Sequence, residues 1–199
     1  MPGRIPHAAI VALVPLALAA ASAGAVRAQT LVNGCPVGTV PVRCPGWSAP
    51  GINLQGADFA GADLSGANLE GANLAGADLQ LADLHGANLA GANLASARLR
   101  RTNLERSGLD GANLAGANLW GAYLQGAALS GAILKGADLT GADLENADLS
   151  DADLTNAVAR SANVEGAKLK GAKLGDAIWI DGSHCNGKSV GACLRFAPP

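Results

Sequence analysis

The chain has 199 residues, 49% of them apolar but only 3% aromatic, and a formal net charge of −2. That apolar content excludes a disordered chain, and the shortage of rings suits a narrow core of small side chains. All 16 acidic residues lie between Asp58 and Asp181, against nine basic residues in the same span, so a basic nucleic-acid-binding surface is excluded as well.

In chain order, residues 1–28 read as a secretory signal peptide. Arg4 supplies a positive start, and Ala8 to Ala21 is an apolar stretch containing Ile10, Val11, Leu13, Val14, Leu16 and Leu18. Val26-Arg27-Ala28 forms a cleavage box that would leave Gln29 as the new N-terminus, with Ala23-Gly24-Ala25 as a second choice. The alternative is an uncleaved anchor. A lipid anchor is not expected, because Val32-Asn33-Gly34 before Cys35 lacks the leucine-small-small approach of a lipoprotein box. Residues 29–51 follow as an N-terminal cap carrying Cys35 and Cys44.

From Leu54 to Trp179 every fifth residue is apolar and nearly always leucine, giving twenty-six consecutive units in one register. Alanine nearly always stands two residues before it, as in Ala62-Asp63-Leu64-Ser65-Gly66. A five-residue step rotates about 140° round an α-helix, so the leucines form no helical stripe. On a flat strand the same step alternates faces. The chain must therefore turn once in every unit. Glycine closes most units, for example Gly56, Gly61, Gly66, Gly71 and Gly76. In a helix interior each would cost about 1 kcal/mol relative to alanine, whereas in a corner glycine turns without steric penalty.

This unit, A-(D/N)-L-x-x, closely resembles the signature of the pentapeptide-repeat family over about two thirds of the chain. The resemblance implies an all-β fold, a right-handed quadrilateral parallel β-helix with four units per coil. The leucine and the preceding alanine would point inward, and the other positions would face out or form corners. Residues 52–181 would then make about six and a half coils, a rod about 30 Å long at strand spacing. Residues 182–199 form a C-terminal cap with Cys185 and Cys193.

The cysteines bracket the array, and none lies inside it. An even count in an exported chain favours disulfides. On such a rod, Cys35–Cys44 with Cys185–Cys193 is the one pairing that does not link opposite ends. The spacings are wider than those of zinc-type pairs, so no metal and no cofactor are expected.

With twenty residues per coil, positions twenty apart stack. One outward column runs Asn53, Asn73, Asn93, Asn113, in which stacked amides can bond along the axis. Columns of Asp58 with Asp78, and of Asp63 with Asp83, place like charges at strand spacing, relieved by Arg98 and Asn103. One segment departs from this small, acidic exterior. Arg98, Arg100, Arg101 and Arg106 cluster within two units, and the next coil brings Trp120 and Tyr123. Arg100 and Trp120 stand twenty apart and should form a cation–π pair. These six residues are the candidate binding patch. The competing reading is repeat drift with an intramolecular Arg–Trp contact.

No enzyme is expected. The histidines are His7, His85 and His184, and adjacent side chains such as Ser183-His184-Cys185 do not make a triad. The reading is a non-enzymatic, exported scaffold or binding protein, periplasmic or secreted. It would act through its solenoid surface on an unknown protein or envelope component, with no nucleic acid and no membrane insertion after cleavage. A monomer or a weak end-to-end dimer is expected. Two alternatives stand beside it. One is a carbohydrate or cell-wall binder using the Arg, Trp and Tyr residues. The other is a DNA mimic resembling the gyrase-interacting members of the family, which the leader, the modest charge and the cysteine-bearing tail disfavour. N-terminal sequencing of the mature protein should begin at Gln29; a full-length cytoplasmic product would sink the export reading.

Overall fold

A computed structural model describes residues 30–32, 35–37 and 42–194. The expected leader and the C-terminal residues from Arg195 onward lie outside the described residues. Two short strands come first: β1, Thr30–Val32, pairs antiparallel with β2, Cys35–Val37. From Arg43 the chain makes parallel bridges one residue wide, each to the residue twenty positions on. Arg43 bridges Asp63, Ser48 bridges Asn68, Asn53 bridges Asn73 and Asp58 bridges Asp78, and the series continues to Val158 with Ile178. Four bridged positions recur in every twenty residues, so each turn of the solenoid has four sides.

The sequence unit explains each corner. The Ala67 N–H donates to the Leu64 carbonyl at 3.0 Å, closing a four-residue turn over Ser65 and Gly66. Gly66 has φ +64°, the left-handed conformation that such a turn requires at its third residue. A second bond fixes the same corner: the Asp63 carboxylate accepts the Ser65 N–H at 3.2 Å. Asn73, Asp83, Asn113 and Asp153 do the same for the N–H two residues ahead. Asp and Asn alternate freely in this position because both supply the side-chain oxygen of an Asx turn.

Between coils, backbone groups point alternately forward and back. Leu64 N–H donates to the Asp83 carbonyl at 2.8 Å, and Asn68 N–H to the Trp47 carbonyl at 2.7 Å. The asparagine column forms the expected ladder, Asn73 to Asn53 at 3.0 Å and Asn93 to Asn73 at 3.2 Å. The aspartate columns are relieved as the stacking suggests. Arg98 lies 3.3 Å from Asp78, and Asn103 donates to Asp83 at 3.0 Å. Farther along, Lys168 pairs with Asp148 at 3.1 Å.

The core is a single column of stacked layers. Every fifth leucine from Leu64 to Leu154 is at most 1% exposed, as are the alanines two residues before them. Thr102 and Ser107 take two of these alanine positions. Their buried hydroxyls donate to the carbonyls of Leu79 and Leu104 at 2.7 and 2.8 Å, so neither is left unsatisfied.

The ladder begins earlier than the boundary expected at residue 52. Arg43 and Ser48 are already bridged, and Cys44 and Ala49 are buried in inward positions. Cys44 is thus part of the wall and is bonded from there to Cys35. Trp47 and Phe59 close this end, with ring centroids 6.4 Å apart. At the other end the chain reverses after Ile178, pairing antiparallel through His184 with Ile178 and Val190 with Lys173, and Cys185 is bonded to Cys193. This hairpin covers Leu174, which is buried, but leaves Val164, Leu169 and Trp179 half-buried around an open hollow of about 410 Å³. Trp179 therefore lines the rim of this end and does not seal it.

Two predictions follow from this packing. Leu114 is fully buried, while Ala115 beside it is part-exposed. Burying a leucine stabilises by roughly 1.5–3 kcal/mol, and an unpaired buried carboxylate adds a further penalty of several kcal/mol. Leu114→Asp should unfold or split the rod, and Ala115→Asp should melt within a few degrees of wild type; equal melting temperatures would refute the inside–outside assignment. The second concerns Asp148, whose pKa is lowered from 3.8 to about 2 by hydrogen bonds from the Ser150 hydroxyl and N–H, and then by Lys168. A lowered folded-state pKa gives stability that is complete above the unfolded value and lost as pH falls through the folded one. Asp148→Asn keeps the corner oxygen and loses the charge. Its melting deficit should be present at pH 7 and shrink between pH 4 and 2; a deficit independent of pH would show that the charge contributes nothing.

Candidate functional site

Most outward positions of the array carry small or short polar side chains, so the exceptions mark where the surface changes character. Three large residues occupy corner positions in the left-handed conformation: Leu81 at φ +59°, Arg101 at +53° and Arg106 at +54°. Among the described residues the other non-glycine residues with positive φ are Ser96, Asn146, Asp151, Asn156, Ser161 and Asp176, all small or of the type that tolerates this region. The three large ones fall within two successive coils. Each bears a strain of about 1–2 kcal/mol that glycine would avoid.

Arg100 and Trp120 directly follow the inward Leu99 and Leu119 and stack in adjacent coils. The Arg100 guanidinium carbon lies 4.9 Å from the centroid of the Trp120 ring, and that of Arg101 lies 5.1 Å away. Arg101 reaches the ring from the corner, its stem running over Gly121, where an added Cβ would stand 3.6 Å from the arginine Cγ. Together with Gln80 and Leu81 these residues line a shallow hollow of about 260 Å³. Leu81 is 67% exposed. No acidic side chain lines the hollow, and among the described residues neither Arg100 nor Arg101 forms an ion pair.

The six candidate residues are therefore not one cluster. The structure brings Arg100, Arg101 and Trp120 together. Arg98 sits beside them but is engaged by Asp78. Tyr123 lies on the following side, bridged to Asn103 and Asp143 and 47% exposed, and Arg106 lies over Gly126 at the corner beyond; neither lines the hollow. Gln80 and Leu81 were absent from the sequence-based patch. Leu81 carried a usable signal, a large apolar residue in a column where Gly61, Gly121 and Gly141 close other coils.

Nothing in this surface assembles a nucleophile with a base. Cys185 is bonded to Cys193, which removes the thiol from Ser183-His184-Cys185. Among the described residues no group of three His, Cys, Asp or Glu side chains could hold a metal ion, and no helix is long and apolar enough to cross a membrane. The hollow can offer guanidinium donors beside an apolar wall, which is the equipment of a binding surface.

The comparisons with known proteins bear on the array. The family model for pentapeptide repeats matches in eight copies, over residues 52–89, 71–106, 107–146 and 137–176. Solved structures that resemble the chain include the plasmid-mediated fluoroquinolone resistance protein QnrB1, at 18% identity over 66% of this chain and 74% of that one, with a TM-score of 0.44. A pentapeptide repeat protein from the thylakoid lumen of Arabidopsis thaliana matches at 26% identity over 70% and 85%, with a TM-score of 0.41. HetL, a pentapeptide repeat protein involved in heterocyst differentiation regulation from the cyanobacterium Nostoc, matches at 29% identity over 71% and 91%, with a TM-score of 0.26. No curated protein matches the chain. With the repeat model covering more than half of its length, this chain belongs to the pentapeptide-repeat family.

Proposed function

We propose that the protein is a non-enzymatic, exported binding protein of the periplasm or the extracellular space, in which the solenoid is the scaffold and the surface around Trp120 is the contact. One observation carries the reading. Large side chains are held in strained left-handed corners, and two arginines lie over one tryptophan, all within three successive coils. Repeat drift at a corner would favour serine, asparagine or aspartate, as it does elsewhere along this array. Strain that glycine could relieve supports a task for the side chain that bears it.

The disulfides Cys35–Cys44 and Cys185–Cys193 support an oxidising compartment, in line with the leader read from Arg4 and the apolar run after it. The convex walls and shallow hollows support binding in preference to catalysis, which needs reacting groups gathered in an enclosed site. A sugar stacking on Trp120 would have to share the ring with the two guanidinium groups that lie within 5.1 Å of its centroid.

The test compares wild type with Trp120→Ala in capture from an envelope extract. Trp120→Ala should lose the captured component while retaining the wild-type melting temperature to within a few degrees, because Trp120 is outside the leucine column. Retention of the same component by the variant would remove the surface around Trp120 from the function.

A further inference from the structure

The hollow at the Gln80–Trp120 corner has a chemistry of its own, and we infer that Arg100 and Arg101 form a receptor for carboxylate side chains of a short acidic peptide segment that also carries an apolar residue. This deepens the reading above and rests on it.

Three observations lead there. First, among the described residues the two guanidinium groups form no ion pair, on a rod that carries 16 acidic residues against nine basic ones in the same span. Where a column carries aspartate next to a cation the solenoid supplies a partner at strand spacing, as Asp78 does for Arg98 and Asp148 for Lys168. At the column of Arg100 the neighbours are Gln80 before and Trp120 after, so the position twenty residues away offers no anion.

Second, the arginines are preorganised. Both lie within 5.1 Å of one ring, and Arg101 leaves a fixed left-handed corner with its stem over Gly121. Contact with an indole restricts a guanidinium and leaves N–H groups available for a carboxylate. A planar fork of that kind matches a carboxylate in two parallel hydrogen bonds. Less side-chain freedom is then lost on binding.

Third, the wall beside them is apolar. Leu81 stands 67% exposed at the rim, held there against its backbone preference. A ligand with an apolar group next to its carboxylate buries Leu81 while it pairs with the arginines.

The surrounding charge selects among anions. A long polyanion, whether a glycan or a nucleic acid, would extend from the hollow over neighbouring sides and meet Asp78, Asp83, Glu105 and Asp143. Asp78 lies at the edge of the hollow, hydrogen-bonded by Gln80 at 3.1 Å, but Arg98 offsets its charge at 3.3 Å. Among the described residues Asp83, Glu105 and Asp143 have no such ion pair, so a chain long enough to reach them is repelled more than a short segment confined to the hollow. The acidic rod thus works against long polyanions and leaves a short acidic segment of a protein as the fitting partner.

The experiment uses the purified protein with both disulfides intact and three fluorescent probes read by anisotropy. These are a six-residue peptide alternating glutamate and leucine, the same peptide with glutamine for glutamate, and a sulfated oligosaccharide of about twenty sugars. The acidic peptide should bind, the glutamine peptide at least tenfold more weakly, and the oligosaccharide more weakly than the acidic peptide. Arg100→Gln with Arg101→Gln should lower affinity for the acidic peptide at least tenfold, and raised salt should do the same to wild type. Lys170→Gln, at an exposed site far along the rod, should leave it unchanged. Melting curves establish that each variant is folded. Equal binding of the two peptides, tighter binding of the oligosaccharide, or an arginine double variant that binds like wild type would each overturn the carboxylate receptor. Should the acidic peptide fail while Trp120→Ala still loses its captured component, the carboxylate assignment falls and the contact surface stands. Failure of both removes the surface itself.

Discussion

One constraint governs this molecule: the backbone must make a left-handed corner every five residues and return a side chain to the same narrow axis. The corner needs a residue that accepts φ near +60°, an oxygen two positions before the turn to receive an N–H, and a buried side chain between them. Glycine, aspartate or asparagine, and leucine meet these three demands with little else in common. Stability accumulates layer by layer, since each coil satisfies the hydrogen bonds of its neighbours and no single set of contacts holds the whole. A fault inside, such as a charge in the leucine column, interrupts every layer that stacks through it, whereas a change outside stays local.

That division explains why the fold was legible in the residues and the site only partly so. The period of five dictates which side chains are buried without any long-range information, and the buried column from Leu64 to Leu154 follows it residue by residue. The twenty-residue stacking likewise placed Arg100 over Trp120. Three features escaped. The role of Asp and Asn as corner caps is a geometric matter that a period does not encode. The early start of the ladder at Arg43 was hidden because Cys44 and Ala49 fill inward positions without leucine. The hollow at Leu81 was missed because its walls come from two columns, and stacking distance alone does not say that a corner residue such as Arg101 reaches the ring of the next coil.

The ends obey the same logic with the neighbour removed. A coil with nothing beyond it exposes apolar faces and unpaired edges. The N-terminal end is closed by bulky side chains, Trp47 against Phe59, together with the Cys35–Cys44 bond. The C-terminal hairpin instead runs back over two of the four sides and covers Leu174, while Val164 and Leu169 keep an open edge that Cys193 of its disulfide also lines. Each short segment buries too little to fold alone, and a covalent bond reduces the freedom that docking would otherwise have to overcome.

A solenoid with these rules has few positions at liberty to carry a function. The inward residues are committed to the core and the Asp or Asn oxygens to the corners. That leaves the residue after each leucine and the corner residue itself, and the corner is free only where strain is accepted. Gln80 with Leu81 and Arg100 with Arg101 occupy these two adjacent free positions in consecutive coils, and Trp120 takes the first of them in the third. The repeat therefore does more than hold the site. By stacking free positions at strand spacing it turns residues twenty apart in sequence into one surface, so that two arginines and a ring converge without any loop or insertion. The same stacking also sets the electrostatics: where a column supplies aspartate the cation is neutralised, as at Arg98, and where it supplies glutamine and tryptophan the cation stays available. Specificity in such a fold is written by what a column leaves out.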